Sequence, residues 1–219
     1  IMSDKKSSFE PVLKLLYFCL PLFCLVFGLY FAYFHIFLNN NILKTKNDIA
    51  QIVSNMSETF KGRYPSLDAN ILVMQNILPY DFPIRKTVNS YDVSNRFGGK
   101  IFFYNAYNTL AERIDNPDNL SAYIILFTRL TKKECKKLAQ TDWRRNFPNF
   151  LGLEASYLSA QKTFNGVYNL RNYLLFDNLN EQYNSRDEGF ITRRHLSRQE
   201  TKVACGCLLN TCTVALKFK

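Results

Sequence analysis

The chain has 219 residues and carries 28 Lys and Arg against 18 Asp and Glu, a formal net charge of +10. That length accommodates one membrane-crossing helix and one domain with a core of its own, so disulfides are not needed merely to hold it folded. The two histidines, His35 and His195, leave little material for a histidine-based catalytic or metal site, and the basic balance favours anionic partners: nucleic acid, anionic lipid or an acidic neighbouring subunit.

In chain order, residues 1–14 form a polar segment, and Leu15 to Leu38 then runs without Asp, Glu, Lys or Arg. Its 24 residues make a helix of about 36 Å, enough to cross a bilayer with some tilt. Tyr17, Tyr30 and Tyr33 suit membrane interfaces, and Pro21 should kink the helix. A cleaved signal peptide would be shorter and followed by small residues, whereas this run ends in Asn39-Asn40-Asn41, which favours a retained anchor. Lys5, Lys6 and Lys14 before the span, against Lys44 and Lys46 after it, put the N-terminus in the cytoplasm and residues 39–219 outside. Cys19 and Cys24 read as small apolar side chains within the span, and His35 as an interfacial group.

Ile49, Ile52, Val53, Met56 and Phe60 recur at helical spacing, which predicts an amphipathic helix from Asn47 to Lys61, with Asn47 or Asp48 as cap and Gly62 as stop. No Gly or Pro separates it from the apolar run, so the two can form one long helix. A short helix is expected from Leu67 to Ile77, and a loop from Pro79 to Arg96. Strands are expected at Lys100–Tyr104 and Ala122–Arg129, with a turn cluster at Asp115–Asn119 between them. Thr131 and Glu134 form a capping box for a helix from Lys132 to Ala139. Tyr168–Phe176 reads as strand or short helix, Gln182–Glu200 as largely loop, and Thr213–Phe218 as a final strand. The order gives an α+β fold: an antiparallel sheet packed on the exposed half of an N-terminal helix.

Four cysteines lie outside the span: Cys135, Cys205, Cys207 and Cys212. An even count in an exported domain implies two disulfides. Cys205 and Cys207 are too close to pair. That leaves Cys135–Cys205 with Cys207–Cys212, or Cys135–Cys207 with Cys205–Cys212. A zinc site would require an unusual Cys-x-Cys-x4-Cys spacing.

The chain offers no Walker loop, His-Glu-x-x-His, Gly-x-Ser-x-Gly or Rossmann fingerprint, and no cofactor or small-molecule substrate is expected. Basic residues cluster at Lys132, Lys133, Lys136 and Lys137, which share one broad helix face, and at Arg144 and Arg145 beside Trp143. Two uses compete. Either Trp143 stacks a base while the cations hold phosphates of DNA, or Trp143 belongs to the core and the cations are a solvated surface.

The order of these elements resembles the type IV pilins, and within them the type IVb subclass. The apolar helix contains Pro21 and runs into the amphipathic stretch Asp48–Lys61. Tyr64-x-x-Leu67, a helix and Pro79 follow; Phe97-Gly98-Gly99 then precedes a strand. The likeness extends over roughly Val12 to Leu138 and the last 15 residues. It implies a structural subunit, major or minor, stored in the bacterial inner membrane and assembled with copies of itself or other pilins into a surface filament. It implies that Cys135 opens a disulfide-bounded region with Cys205 as partner, and that Glu10 stands for the assembly carboxylate before the apolar run. The family's glycine before its processing point has no counterpart five or six residues ahead of Glu10, so either the start is a modified or misassigned leader or the subunit is not processed in the family's usual way. A different class fits the same features: a single-span envelope protein whose basic exported domain binds a partner or DNA within a secretion or conjugation machine.

Overall fold

The computed structural model describes residues 10–64, 67–106, 120–156, 183–184, 189–192, 194–208 and 212–219. The segments read above as Asp115–Asn119 and Tyr168–Phe176 lie outside the described residues. The chain divides into two compact units, Ile1–Asn41 and Ile42–Lys219. Helix α1, Glu10–Phe60, passes through both and continues across Pro21. The apolar and amphipathic runs are therefore one helix. Neither Asn47 nor Asp48 caps anything, because no breaker precedes them; both are interior residues of α1.

In the second unit, the part of α1 from Ile42 onward buries Ile42, Thr45, Ile49, Ile52, Val53 and Met56. These positions fall at spacings of three and four and form one stripe. Around Thr45, Asp48, Ile49 and Ile52 gather Phe82, Arg96, Ile101 and Phe127, so this half of the helix packs on the sheet. The helix ends where Lys61 (φ +49°) and Gly62 (φ +79°) turn left-handed, a conformation that glycine adopts without strain. Helix α2, Ala69–Met74, is capped by the Asp68 carboxylate, which accepts from the Ile71 amide at 2.8 Å.

Pro79–Arg96 contains a small hairpin, β1 (Ile84–Lys86) and β2 (Tyr91–Val93), where a loop was expected. Three-residue strands are too short to show alternation. The hairpin is made instead by its turn, in which the Thr87 amide and hydroxyl both donate to the Ser90 carbonyl, at 2.8 and 2.7 Å. The Asn70 side chain then accepts from the Tyr91 amide at 2.9 Å.

Six antiparallel strands follow: β3 (Ile101–Ala106), β4 (Ala122–Leu130), β5 (Phe150–Ser156), β6 (Tyr183–Asn184), β7 (Gly189–Thr192) and β8 (Cys212–Phe218). Their order is β3-β4-β8-β5-β7-β6, so β8 lies at the centre. This is the α+β layout expected from the sequence, an antiparallel sheet with part of α1 packed on it. Between them lie helices α3 (Lys132–Ala139), α4 (Trp143–Asn146) and α5 (Arg198–Ala204). Helix α3 has the expected capping box of Thr131 and Glu134. Within Gln182–Glu200, where much loop was expected, the described residues include β6, β7 and the start of α5. The signal for α5 was available as Ser197-x-x-Glu200, a second capping box that the polar composition masked. Strand β8, expected at Thr213–Phe218, is buried along its whole length. The sheet is covered on both sides at this point, with Ala106, Ala122, Ile124, Leu126 and Ala215 forming a core cluster.

One junction ties the loop before β3 to β4. Strand β4 has an extra residue between Phe127 and Leu130 relative to β8, with Arg129 at φ +55°. This bulge presents the Thr128 carbonyl to Asn95, whose amide donates to it at 2.9 Å. The Asn95 side-chain oxygen Oδ1 accepts from the Phe97 and Gly99 amides, both at 2.9 Å. Gly99 is packed so tightly here that a Cβ would lie 1.9 Å from the Thr128 carbonyl oxygen, which is why the Gly-Gly pair precedes the strand. The neighbouring Arg96 grips Asp48 of α1 with two parallel bonds of 2.8 and 2.9 Å and reaches Asp81 at 3.0 Å. Its guanidinium also lies over the Phe82 ring, 5.6 Å from the centroid.

Replacing Gly99 with Ala should cost about 3 kcal/mol, because a backbone carbonyl must move. Gly98→Ala meets only the left-handed penalty at φ +85°, about 1 kcal/mol. Urea unfolding of both variants tests that order. Asp48→Ala should cost about 3 kcal/mol by leaving the largely buried Arg96 with its exposed partner alone, more than Asp81→Ala does. At α5, the Arg194 guanidinium holds the Glu200 carboxyl down to about 2. A depressed acid contributes stability that is full above its ordinary value near 4.5 and disappears as pH falls toward 2. Acid unfolding should therefore be steeper in that window for the parent than for Arg194→Gln.

Candidate functional site

The first unit is dominated by the apolar part of α1. Leu20, Leu22, Phe23, Leu25, Val26, Phe27, Leu29, Tyr30, Phe31 and Tyr33 are all exposed, Phe27 by 52 % and Tyr17 nearby by 81 %. Successive residues turn 100° about a helix axis, so these side chains point in every direction and no face of this stretch is polar. A folded soluble chain seldom leaves so much contiguous apolar surface in water. The helix is long and apolar enough to cross a membrane by length and composition. Its surface has an aromatic ridge, Phe23–Phe27–Phe31, with centroids 5.7 and 5.5 Å apart. It also has a low point at Gly28, where a Cβ would meet nothing within 4 Å. Ala32 follows one turn later, so a neighbouring helix could approach closely along that line. Cys19 and Cys24 are unbridged and exposed on the same helix. His35 Nδ1 accepts from the Asn39 amide at 3.1 Å, a polar side-chain contact at the end of the apolar run. Glu10 is the first residue of α1, and its side chain lies outside the described residues.

In the second unit the four cysteines form two bridges, Cys135–Cys205 and Cys207–Cys212. This decides between the connectivities left open by spacing. The bridges abut: the sulfurs of Cys135, Cys205 and Cys212 lie within 4.8 Å of one another, all buried. A bridged sulfur carries no thiolate to offer a metal. The long bridge closes a loop of 70 residues, worth about 4 kcal/mol in the chain-entropy account. It joins α3 to the end of α5, and the short bridge anchors the first residue of β8.

The basic residues separate into two environments. Lys132, Lys133 and Lys137 are exposed on α3, Lys136 is half-buried, and Arg144 and Arg145 are exposed on α4. Trp143 is not available to stack a base. Its ring is 1 % exposed, its indole N–H donates to the Leu138 carbonyl at 3.0 Å, and it stacks on Phe147 with centroids 6.0 Å apart. Through Phe147 it joins Phe218 of β8 and Tyr123 of β4, so its role is to fasten α4 to the sheet. Of the two uses weighed for Trp143 the structure shows the core one, because the short helix α4 points Trp143 inward and the arginines outward.

No family model matches the chain, and no curated protein matches it. Among solved structures it is similar to a type IVb pilin from Salmonella typhi, with 10% sequence identity and a TM-score of 0.43, covering 76% of this chain and 91% of that chain. A likeness at that level carries no argument for function.

Proposed function

We propose that the chain is a structural, non-enzymatic subunit of a type IV pilus or related pilin-like filament. In this reading residues 15–38 store it in the bacterial inner membrane as a single span with a cytoplasmic N-terminus, residues 1–14 precede the span, and residues 39–219 are exported. The observation that carries the reading is the apolar, all-round exposed stretch of α1, continuous with a helix that packs on a disulfide-bridged α+β domain.

The physics of such a role is coherent. An all-apolar helix is at home in lipid, and it is equally at home among copies of itself. Moving it from bilayer to a filament core exchanges one apolar setting for another, so assembly is decided by packing and not by desolvation. The Gly28–Ala32 line allows close helix approach, while the aromatic ridge fills grooves. Pro21 supplies a point at which the helix can bend as its surroundings change. Glu10, just ahead of the apolar run, is the carboxylate that a neighbouring subunit's cation would neutralise at low dielectric.

Intact mass and N-terminal sequencing of the native protein, without reductant, should find it in a sheared-filament fraction, four hydrogens lighter than its reduced form. Gly28→Leu should reduce filament recovery roughly tenfold while membrane retention is unchanged, because the bulk is added where helices meet and not where lipid does. A chain confined to membranes would reject the filament role and favour a single-span envelope protein that binds a partner.

A further inference from the structure

The two disulfides meet in one buried place, and each holds a different part of the second unit. Cys135–Cys205 joins α3 to the end of α5, and Cys207–Cys212 fixes the start of β8. Their meeting follows from the backbone. Cys135 lies on the buried side of α3 with Leu138 and Ala139. Cys205 is the C-cap of α5, and its amide donates to the Thr201 carbonyl at 3.1 Å. Cys212 pairs with Leu130 of β4, and the Cys207 sulfur lies 3.9 Å from the Leu130 carbonyl oxygen. The Cys212 sulfur is thereby within 4.8 Å of the sulfurs of both Cys135 and Cys205. That gap is too narrow to admit another heavy atom between them.

Exchange between thiols and disulfides needs a thiolate within reach of a bridged sulfur and a second sulfur to carry the electron pair away. With both bridges closed there is no thiolate in the cluster. Opening one bridge supplies it in place. The two bridges are not equally open to attack from solution. Cys135, Cys205 and Cys212 are fully buried, whereas Cys207 keeps 6 % exposure and its neighbours Gly206 and Leu208 are exposed. The short bridge is therefore the one that a reagent from solution meets first.

We propose that the four cysteines form an internal thiol–disulfide exchange site, entered by a dithiol reductant at Cys207, in which Cys212 opens the Cys135–Cys205 bridge. One thiolate of the reductant bonds to Cys207 Sγ, and the electron pair leaves on Cys212 Sγ. The reductant's second thiol then closes its own disulfide and frees Cys207 as a thiol. The Cys212 thiolate next attacks Cys205 Sγ. The Cys205–Cys212 bond forms, the Cys135–Cys205 bond breaks, and the electron pair departs on Cys135 Sγ. Two electrons have entered, both from the dithiol, and one disulfide remains in the chain. Attack at Cys205 is favoured over Cys135 because the new bridge closes a short loop and constrains less chain. The outcome is that α3 is released from α5, while α5 and β8 become joined directly. Cys205–Cys212 is also one of the pairings that spacing alone had left open. The site lies wholly within the second unit, so it does not rest on the filament reading.

The test uses the full chain in non-ionic detergent, carrying Cys19→Ala and Cys24→Ala so that no thiol of α1 takes part. Dithiothreitol is the probe, alkylation stops the reaction, and peptide masses count each bridge. The Cys135–Cys205 bridge should open roughly tenfold or more faster in this parent than after Cys207→Ser with Cys212→Ser, because a thiol held in place outpaces one in solution. Equal or faster opening without the short bridge would overturn the proposal. Cys207→Ser alone leaves a Cys212 thiol beside the long bridge, and with no reductant added it should yield peptides linked Cys205–Cys212. Trp143 is the single tryptophan and its indole donates to Leu138 of α3, so its emission reports whether α3 is in place. Absence of the new linkage, or its appearance only where that emission has shifted, would also overturn the proposal. Where the double serine variant shifts the emission, the single variant decides.

Discussion

Strand β8 sits between β4 and β5, and most of the second unit depends on that placement. A central strand is hydrogen-bonded on both edges and here is buried on both faces, so its seven residues join the two halves of the sheet. Its start is anchored by the Cys207–Cys212 bridge and its end by Phe218, around which Tyr123, Phe147 and Phe150 gather. The pairing is non-local, since β8 joins β4 across some eighty residues. The loop-closure cost of such a contact is high, and the 70-residue bridge between Cys135 and Cys205 reduces it by shrinking the unfolded ensemble.

The second unit holds its part of α1 by two kinds of interaction that work differently. The apolar stripe from Ile42 to Met56 supplies the burial energy but is tolerant of small slides along the axis. The Arg96–Asp48 fork is directional, and a buried pair of this kind selects one register of the helix against its loop. Arg96 can reach Asp48 because Asn95, one residue earlier, is locked to the β4 bulge through Thr128, with Gly99 giving the space. Bulge, asparagine, glycine and ion pair therefore form one chain of cause linking the sheet to the helix.

Two halves of a single helix answer to different solvents. The amphipathic half has one apolar stripe and belongs to the domain core, whereas the stretch from Cys19 to Phe37 has no polar face and is exposed throughout. No local feature stops the backbone between them, because helix propagation needs only the next hydrogen bond and no Gly or Pro intervenes after Gly28.

Much of this was legible in the residues because the signals are local. An uncharged run of 24 residues, a capping box at Thr131 and Glu134, and the β-rich stretch from Ala122 each define an element from neighbours within a few positions. The β1–β2 hairpin escaped notice because its strands are three residues long and its turn contains no glycine, and helix α5 because the polar stretch around it masked its capping box. The choice between two disulfide patterns and the inward turn of Trp143 were decided by the tertiary structure alone. Sequence by itself determined which segments could be helix, strand or membrane span, since those depend on side-chain periodicity and backbone chemistry close by. Which cysteine meets which, and which charges share a surface, depends on how sheet and helices stack, and residues far apart in the chain carry no record of that distance in their spacing.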